Sequence, residues 1–255
     1  MELIDTHTHL YLQDFKSDIK AIMDRATAQG VSNFFLPAID SSEMKNLLAL
    51  EKDYPGTCHA MMGLHPCSVK GNFKEELIIV EEALSKRKFA AIGEIGLDLH
   101  WDRTYLAQQY ESFHTQINLA LKYDVPIVIH SRDATDEAIA VVEEYRGKKL
   151  KGIFHCFGGS LEQATRIIHS GFTLGIGGVV TYKRSGLDEV LKDVDLQYLV
   201  LETDAPYLAP VPFRGKRNES SYLQYIVAKI AEIKIVSVEE VARVTTANAR
   251  RIFKF

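Results

Sequence analysis

The chain has 255 residues, enough to bury a large core in one α/β barrel or in two smaller domains. Its 46% apolar and 25% charged residues suit an ordinary globular protein, and a formal net charge of −4 supplies no global basic field, so nucleic-acid binding would have to use a local patch or bound cations. Three cysteines, Cys58, Cys67 and Cys156, form no CxxC and leave an odd thiol, which argues against a disulfide scaffold and for a reducing compartment.

In chain order, short runs rich in Ile, Val and Phe alternate with longer stretches of helical period. The first strand is expected over Leu3 to Thr6, followed by His7-Thr8-His9, and a helix over about Asp14 to Gln29 with Gly30 as its stop. A second strand is expected near Val31 to Ile39, and Asp40-Ser41-Ser42-Glu43 reads as a capping box opening the next helix. The third strand, His59 to Leu64, ends in Gly63-Leu64-His65-Pro66 and precedes a helix over about Glu75 to Lys86. The fourth, Phe89 to Ile95, runs into Gly93-Glu94-Ile95-Gly96-Leu97-Asp98, with a long helix over about Thr104 to Lys122. The fifth, Pro126 to Ile129, meets His130-Ser131-Arg132-Asp133 before a helix over about Thr135 to Tyr145.

The sixth strand, Lys151 to Phe154, ends in His155-Cys156-Phe157, and Ser160-Leu161-Glu162-Gln163 caps a helix stopped by Gly171. The seventh is Phe172 to Ile176, with a short helix near Leu187 to Lys192. The eighth, Tyr198 to Leu201, ends in Glu202-Thr203-Asp204-Ala205-Pro206. After a loop rich in Pro and Arg come helices over about Tyr222 to Ile233 and Val238 to Phe253, the last capped by Ser237 and Glu240. There is no long linker, no basic n-region at the start and no run near 18 apolar residues, so we expect one domain over residues 1–255, without signal peptide or membrane span, in the cytoplasm.

Eight strand–helix units point to a (β/α)₈ barrel, with an open doubly wound sheet as the alternative. The polar residues favour the barrel. His7 and His9 follow the first strand and Asp204 the last; in an open sheet those strands need not be neighbours, whereas in a closed barrel they touch. His7, His9, Glu94, His130, His155 and Asp204 then all stand at one mouth, at the step from core to loop. One histidine at such a place is most often a packing residue, but six coordinating side chains at one register are costly to bury unless a cation compensates. Residues two apart on a strand share a face, so His7 and His9 can offer two nitrogens to one ion.

Glu94 stands between Gly93 and Gly96, which would let backbone and ligand approach closely. Its carboxylate can bridge two ions about 3.5–4 Å apart, a spacing suited to in-line displacement at phosphorus. We expect His7, His9 and Asp204 on one ion, His130 and His155 on the other, and Glu202 behind them orienting a ligand. Cys156 is expected to point away and pack.

With these motifs assembled, the chain resembles the TatD-type metal-dependent deoxyribonucleases of the amidohydrolase superfamily, over essentially its whole length. The specific combination is Gly93-Glu94-Ile95-Gly96-Leu97-Asp98 with Leu201-Glu202-Thr203-Asp204-Ala205-Pro206; Pro212 to Glu219 and Thr246 to Phe253 also match. Ser220 stands where the family commonly has Pro, and His100 where it often has an aromatic residue. The resemblance implies a barrel, divalent-metal dependence and hydrolysis of DNA, often 3′→5′ on single strands, with RNA as a further substrate.

On that reading Glu94 and Asp204 are catalytic, Asp204 accepting a proton from the attacking water. His65, His100, Arg132, Arg214 and Lys216 are the expected substrate contacts, with Arg217 in the same basic cluster. Trp101, Tyr105, Phe157 and Tyr207 are rim aromatics open to base stacking or to packing. Donor softness favours Zn²⁺ or Mn²⁺, whereas the resemblance also admits Mg²⁺. A monomer acting on single-stranded ends is expected. The alternatives are an amidohydrolase acting on a small cyclic amide or ester, and a metal-binding protein without catalysis. No lysine at the fourth strand end replaces Glu94 as a bridge, which weakens the amidase alternative.

Overall fold

In the computed structural model, which describes residues 1–255, eight strands alternate with helices. The strands are β1 (Leu3–Asp5), β2 (Val31–Leu36), β3 (Cys58–Ala60), β4 (Ile92–Asp98), β5 (Ile127–Arg132), β6 (Gly152–Phe154), β7 (Phe172–Ile176) and β8 (Leu199–Leu201). The helices are α1 (Ile19–Ala28), α2 (Met44–Asp53), α3 (Phe73–Lys86), α4 (Leu106–Tyr123), α5 (Thr135–Glu143), α6 (Leu161–His169), α7 (Leu187–Asp193), α8 (Leu223–Lys234) and α9 (Val238–Phe253). No helix is long and apolar enough to cross a membrane.

All strand pairs are parallel, β1 to β3 in one run and β4 to β8 in another. Two seams close the runs into a ring. At one, Met62 bridges Ile92, and Met62 N–H donates to Ala91 O at 3.2 Å. At the other, the Thr6 amide and hydroxyl donate to Leu201 O at 3.0 and 2.9 Å. Contact between the first and last strands is what an open sheet lacks, and the fold is the expected (β/α)₈ barrel.

The apolar residues divide into two clusters. Ile4, Phe35, Val128, Ile153 and Val200, with Met61 and Ala91 beside β3 and β4, meet inside the ring. Ala249, Ile252 and Phe253 of α9 join them, and Phe253 stacks on Phe35 at 3.8 Å, so the last helix closes the end opposite the strand C-termini. A larger cluster fills the space between strands and helices. Each buried Leu, Ile, Val or Phe contributes about 1.5–3 kcal/mol of transfer free energy.

Tertiary partners overrode some local signals. The first helix begins only at Ile19, because a 3₁₀ turn at Gln13–Phe15 buries Phe15 first. The expected capping box at Asp40 to Glu43 does not form: Asp40 folds back on Ser42, while Ser41 gives its amide and hydroxyl to Glu76 of α3. Ser160 and Gln163 form the full box. Ser237 caps the Glu240 amide, but the Glu240 carboxylate goes to Arg243, so that box is half made.

Asp5 clips the second seam. Its buried carboxylate accepts from Thr203 N (2.9 Å), Thr203 Oγ1 (2.6 Å) and Ser220 Oγ (2.6 Å), joining β1, the end of β8 and the loop before α8. Burial pushes its carboxyl up to about 7 in spite of these donors. Asp5→Ala strands three buried donors, so we expect a loss of about 3 kcal/mol or more, read as a lower urea midpoint at unchanged m. A loss under about 1 kcal/mol would show that the seam does not depend on this carboxylate.

Candidate metal centre

The interior residues of the strands locate the site. Two residues beyond Val128, Ile153 and Val200 come His130, His155 and Glu202, which continue onto the same face as strand alternation requires. The other two contributing strands break that rule. In β4 the pairing with β5 shifts register between Ile92 and Ile95, a bulge that re-aims Glu94 into the mouth. After β1 ends at Asp5, the chain is held by Thr8 N–H to Phe35 O and His9 N–H to Ala205 O, and His7 and His9 both turn inward. Gly93 and Gly96 make room for β5, not for a ligand: a Cβ on Gly93 would lie 2.8 Å from Val128 Cβ, and one on Gly96, at φ +136°, 2.1 Å from His130 O.

Glu94, 2% exposed, is the centre of the cluster. One oxygen, Oε2, faces His7 Nε2 at 3.2 Å and His9 Nε2 at 3.6 Å, and Asp204 Oδ1 approaches those same nitrogens at 3.6 and 3.5 Å. The other, Oε1, faces His155 Nε2 at 2.7 Å, His130 Nδ1 at 2.9 Å and His65 Nε2 at 3.5 Å. The six residues expected at the mouth are thus together, and His65 joins them. His7 and His155 stack at 3.8 Å between ring centroids.

Donor atoms gather within 4.8 Å in three triads: His7, His9 and Glu94; His7, His155 and Asp204; His65, Glu94 and His130. Both ring nitrogens of His7 are buried with no hydrogen-bond partner. An unpartnered imidazole nitrogen among convergent N and O donors is what a divalent ion would satisfy, so the residues fit a metal.

Hydrogen bonds to the outer nitrogens decide which imidazoles are free to coordinate. Tyr11 Oη donates to Pro37 O at 2.6 Å and lies 3.0 Å from His9 Nδ1, so it accepts the Nδ1 proton and leaves the His9 Nε2 lone pair facing inward. His65 is the reverse. Its Nδ1 accepts from Cys67 N–H at 3.0 Å, which puts the proton of the neutral ring on Nε2, facing Glu94. His65 is therefore a donor inside the cluster.

Glu202 is fully buried behind His155, with Oε1 3.5 Å from His155 Nδ1 and accepting from Cys156 N–H. A Cβ on Gly175 would fall 2.1 Å from Glu202 Oε2, so this glycine leaves room for the carboxylate. Asp98 was not singled out from the sequence. Its Oδ2 lies 2.8 Å from His130 Nε2, and its Oδ1 accepts from His100 N–H and Trp101 N–H. Its place four residues after Glu94, on one face of β4, was the available signal.

Burial alone would raise the Glu94 carboxyl, but His155, His65 and His7 outweigh it and hold it well below the ordinary range. Burial would lower His155, yet the charge of Glu94 and the bond to Glu202 hold it well above. Burial dominates at His7 and His65, whose basicity falls.

The cluster lies at the base of a cavity of about 1220 Å³. Arg132, Trp101, Phe157 and Tyr207 line it; Tyr105, His100, Arg214 and Lys216 do not. His100 pairs with Asp133 at 2.8 Å, and Arg214 covers the Tyr182 ring at 4.5 Å. Arg217 is withdrawn from the expected basic cluster by a two-point bond to Asp18. Cys156 borders the cavity instead of packing away from it, because its backbone turns left-handed (φ 49°) to reach Glu202.

A family model described as TatD related DNase matches residues 4–254. The chain belongs to this family. TatD-family relatives include the uncharacterized metal-dependent hydrolase YabD of Bacillus subtilis, 38% identical with 99% of each chain covered. The 3′-5′ ssDNA/RNA exonuclease TatD of Pectobacterium parmentieri is 30% identical, again with 99% of each chain covered. Among solved structures, the TatD homolog YjjV of Escherichia coli superposes with TM-score 0.94 at 32% identity, covering 99% of this chain and 98% of that one. The chain is thus a TatD-family metal-dependent hydrolase.

If Glu202 orients His155 toward a metal, Glu202→Gln and Gly175→Ala should each weaken zinc binding about 10- to 100-fold in competition with a chromogenic chelator. Unchanged affinity in both variants would remove Glu202 from that role.

Proposed function

We propose that this TatD-family hydrolase cleaves phosphodiester bonds of DNA, releasing nucleotides 3′→5′ from single-stranded ends and accepting RNA as well, as a cytoplasmic monomer. The observation that carries the reading is the division of Glu94, whose Oε2 faces the ring nitrogens of His7 and His9 and whose Oε1 faces those of His130 and His155. A relative that bears the name of a 3′-5′ ssDNA/RNA exonuclease supports it.

In this reading His7, His9 and Asp204, beside Glu94 Oε2, would hold one divalent ion, and His130 and His155, beside Oε1, would hold a second. The nitrogen-rich donor set suits Zn²⁺ or Mn²⁺ better than Mg²⁺. Such ions would supply Lewis acidity toward the phosphoryl group and a nucleophile at neutral pH.

The chain's own groups do the rest. Asp204 accepts the proton of the attacking water. His65 presents its Nε2–H to a phosphate oxygen, a role fixed by the Cys67 amide behind it. Glu202 and Asp98 hold His155 and His130 in place. Arg132, at the rim, binds phosphate. Arg214 and Lys216 lie outside the cavity lining and would meet only a longer strand.

Metal-reconstituted protein offered end-labelled single-stranded DNA and a dihydroorotate-type cyclic amide should release mononucleotides and leave the amide intact. Cleavage of the amide alone would establish the alternative, a small-molecule amidohydrolase. Chelation should abolish the activity and metal should restore it. Glu94→Ala and Asp204→Ala should lower kcat/KM about 10²- to 10⁴-fold. Full activity in both would overturn the assignment.

A further inference from the structure

Trp101 is the only tryptophan of the chain, and it stands at the mouth, 69% exposed. A large aromatic left in water at the edge of a catalytic cavity has surface to offer a ligand. The Arg132 guanidinium lies 5.1 Å from its ring centroid and has no carboxylate or hydrogen-bond partner. Arg132 is also the one Lys or Arg among the residues lining the cavity; the charged groups beside it, Asp133, Asp136 and Glu137, are acidic. One cation among acidic neighbours offers a single phosphate contact, so a strand is not tracked along this rim by successive phosphates and a base contact has to add to that one.

Position is set by the backbone. Leu99 N–H donates to Arg132 O at 3.0 Å, and Asp98 Oδ1 accepts from the His100 and Trp101 amides at 2.9 and 3.0 Å. The other oxygen of Asp98 meets His130 Nε2 at 2.8 Å. One carboxylate thus ties the backbone that carries Trp101 to the histidine cluster.

We propose that Trp101 and Arg132 form the nucleotide-binding edge of the site: a phosphate draws the guanidinium off the indole, and the base of the same nucleotide stacks on the face it leaves. A guanidinium on an exposed ring is held weakly, and a charge-assisted bond to phosphate is stronger, so the exchange runs toward the substrate. Stacking tolerates any base, so the edge selects nucleotides without reading sequence. This inference rests on the nuclease reading and adds to it how one terminal nucleotide is held.

The test offers the metal-loaded protein two single-stranded oligodeoxynucleotides, identical except that the 3′-terminal nucleotide of one is abasic. The wild-type protein should prefer the base-bearing end about 5- to 150-fold in kcat/KM, mainly through KM. Trp101→Ala should collapse that ratio toward one, and Trp101→Phe should keep most of it. Because the chain has one indole, its emission in the wild-type protein should be quenched by the base-bearing oligonucleotide and not by the abasic one. An unchanged ratio in Trp101→Ala, or equal quenching by both, overturns the stacking while the nuclease reading stands. Failure of the wild-type protein to cleave either oligonucleotide sinks the nuclease reading, and this inference with it.

Discussion

A buried carboxylate surrounded by imidazoles organises the mouth of this barrel. Glu94 is 2% exposed and lies within 3.6 Å of ring nitrogens from five histidines. Taking a carboxylate out of water costs several kcal/mol unless partners surround it. Here the partners come from the ends of β1, β5 and β6 and from the turn after β3, so only a closed ring assembles them. The seam between β1 and β8 is therefore a condition for the site as well as for the fold. Asp5 makes the dependence concrete, because the carboxylate that ties Thr203 and Ser220 stands two residues before His7 and joins the segment that carries Asp204.

Around that centre, a shell of ordinary hydrogen bonds sets what each imidazole can do. Tyr11 leaves His9 with an inward lone pair, and the Cys67 amide leaves His65 with an inward proton. Glu202 and Asp98 hold His155 and His130 from behind. Residue type alone would make these four histidines equivalent; their outer partners decide which present an inward lone pair and which an inward proton. Asp98 also connects this shell to the rim, since it bonds the backbone that carries Trp101. The rim is acidic apart from Arg132, which agrees with a net charge of −4 and with a protein that engages its substrate locally.

The barrel is shared by many unrelated activities, so the fold restricts the chemistry little. What narrows the chemistry here is the occupant of the β4 position. A glutamate there, aimed inward by a bulge, divides the donors into two groups. Family membership and this geometry agree on metal-dependent hydrolysis.

The sequence by itself determined the alternation of strands and helices, the closure of the ring between the segment of His7 and His9 and that of Asp204, and the positions of His130 and His155. Each of these follows from local period or from residue type at a strand end. The tertiary structure alone decided the rest. Glu94 faces the mouth because the β4–β5 register slips, Gly93 and Gly96 serve the approach of β5, and Ser41 abandons its helix cap for Glu76. Arg217 leaves the substrate loop for Asp18, and Asp98 enters the site through a histidine 32 residues away. The physical reason is common to all of them. Periodicity records which face a residue prefers, whereas register, tautomer and ion-pair partner depend on groups that only the closed barrel brings within 4 Å.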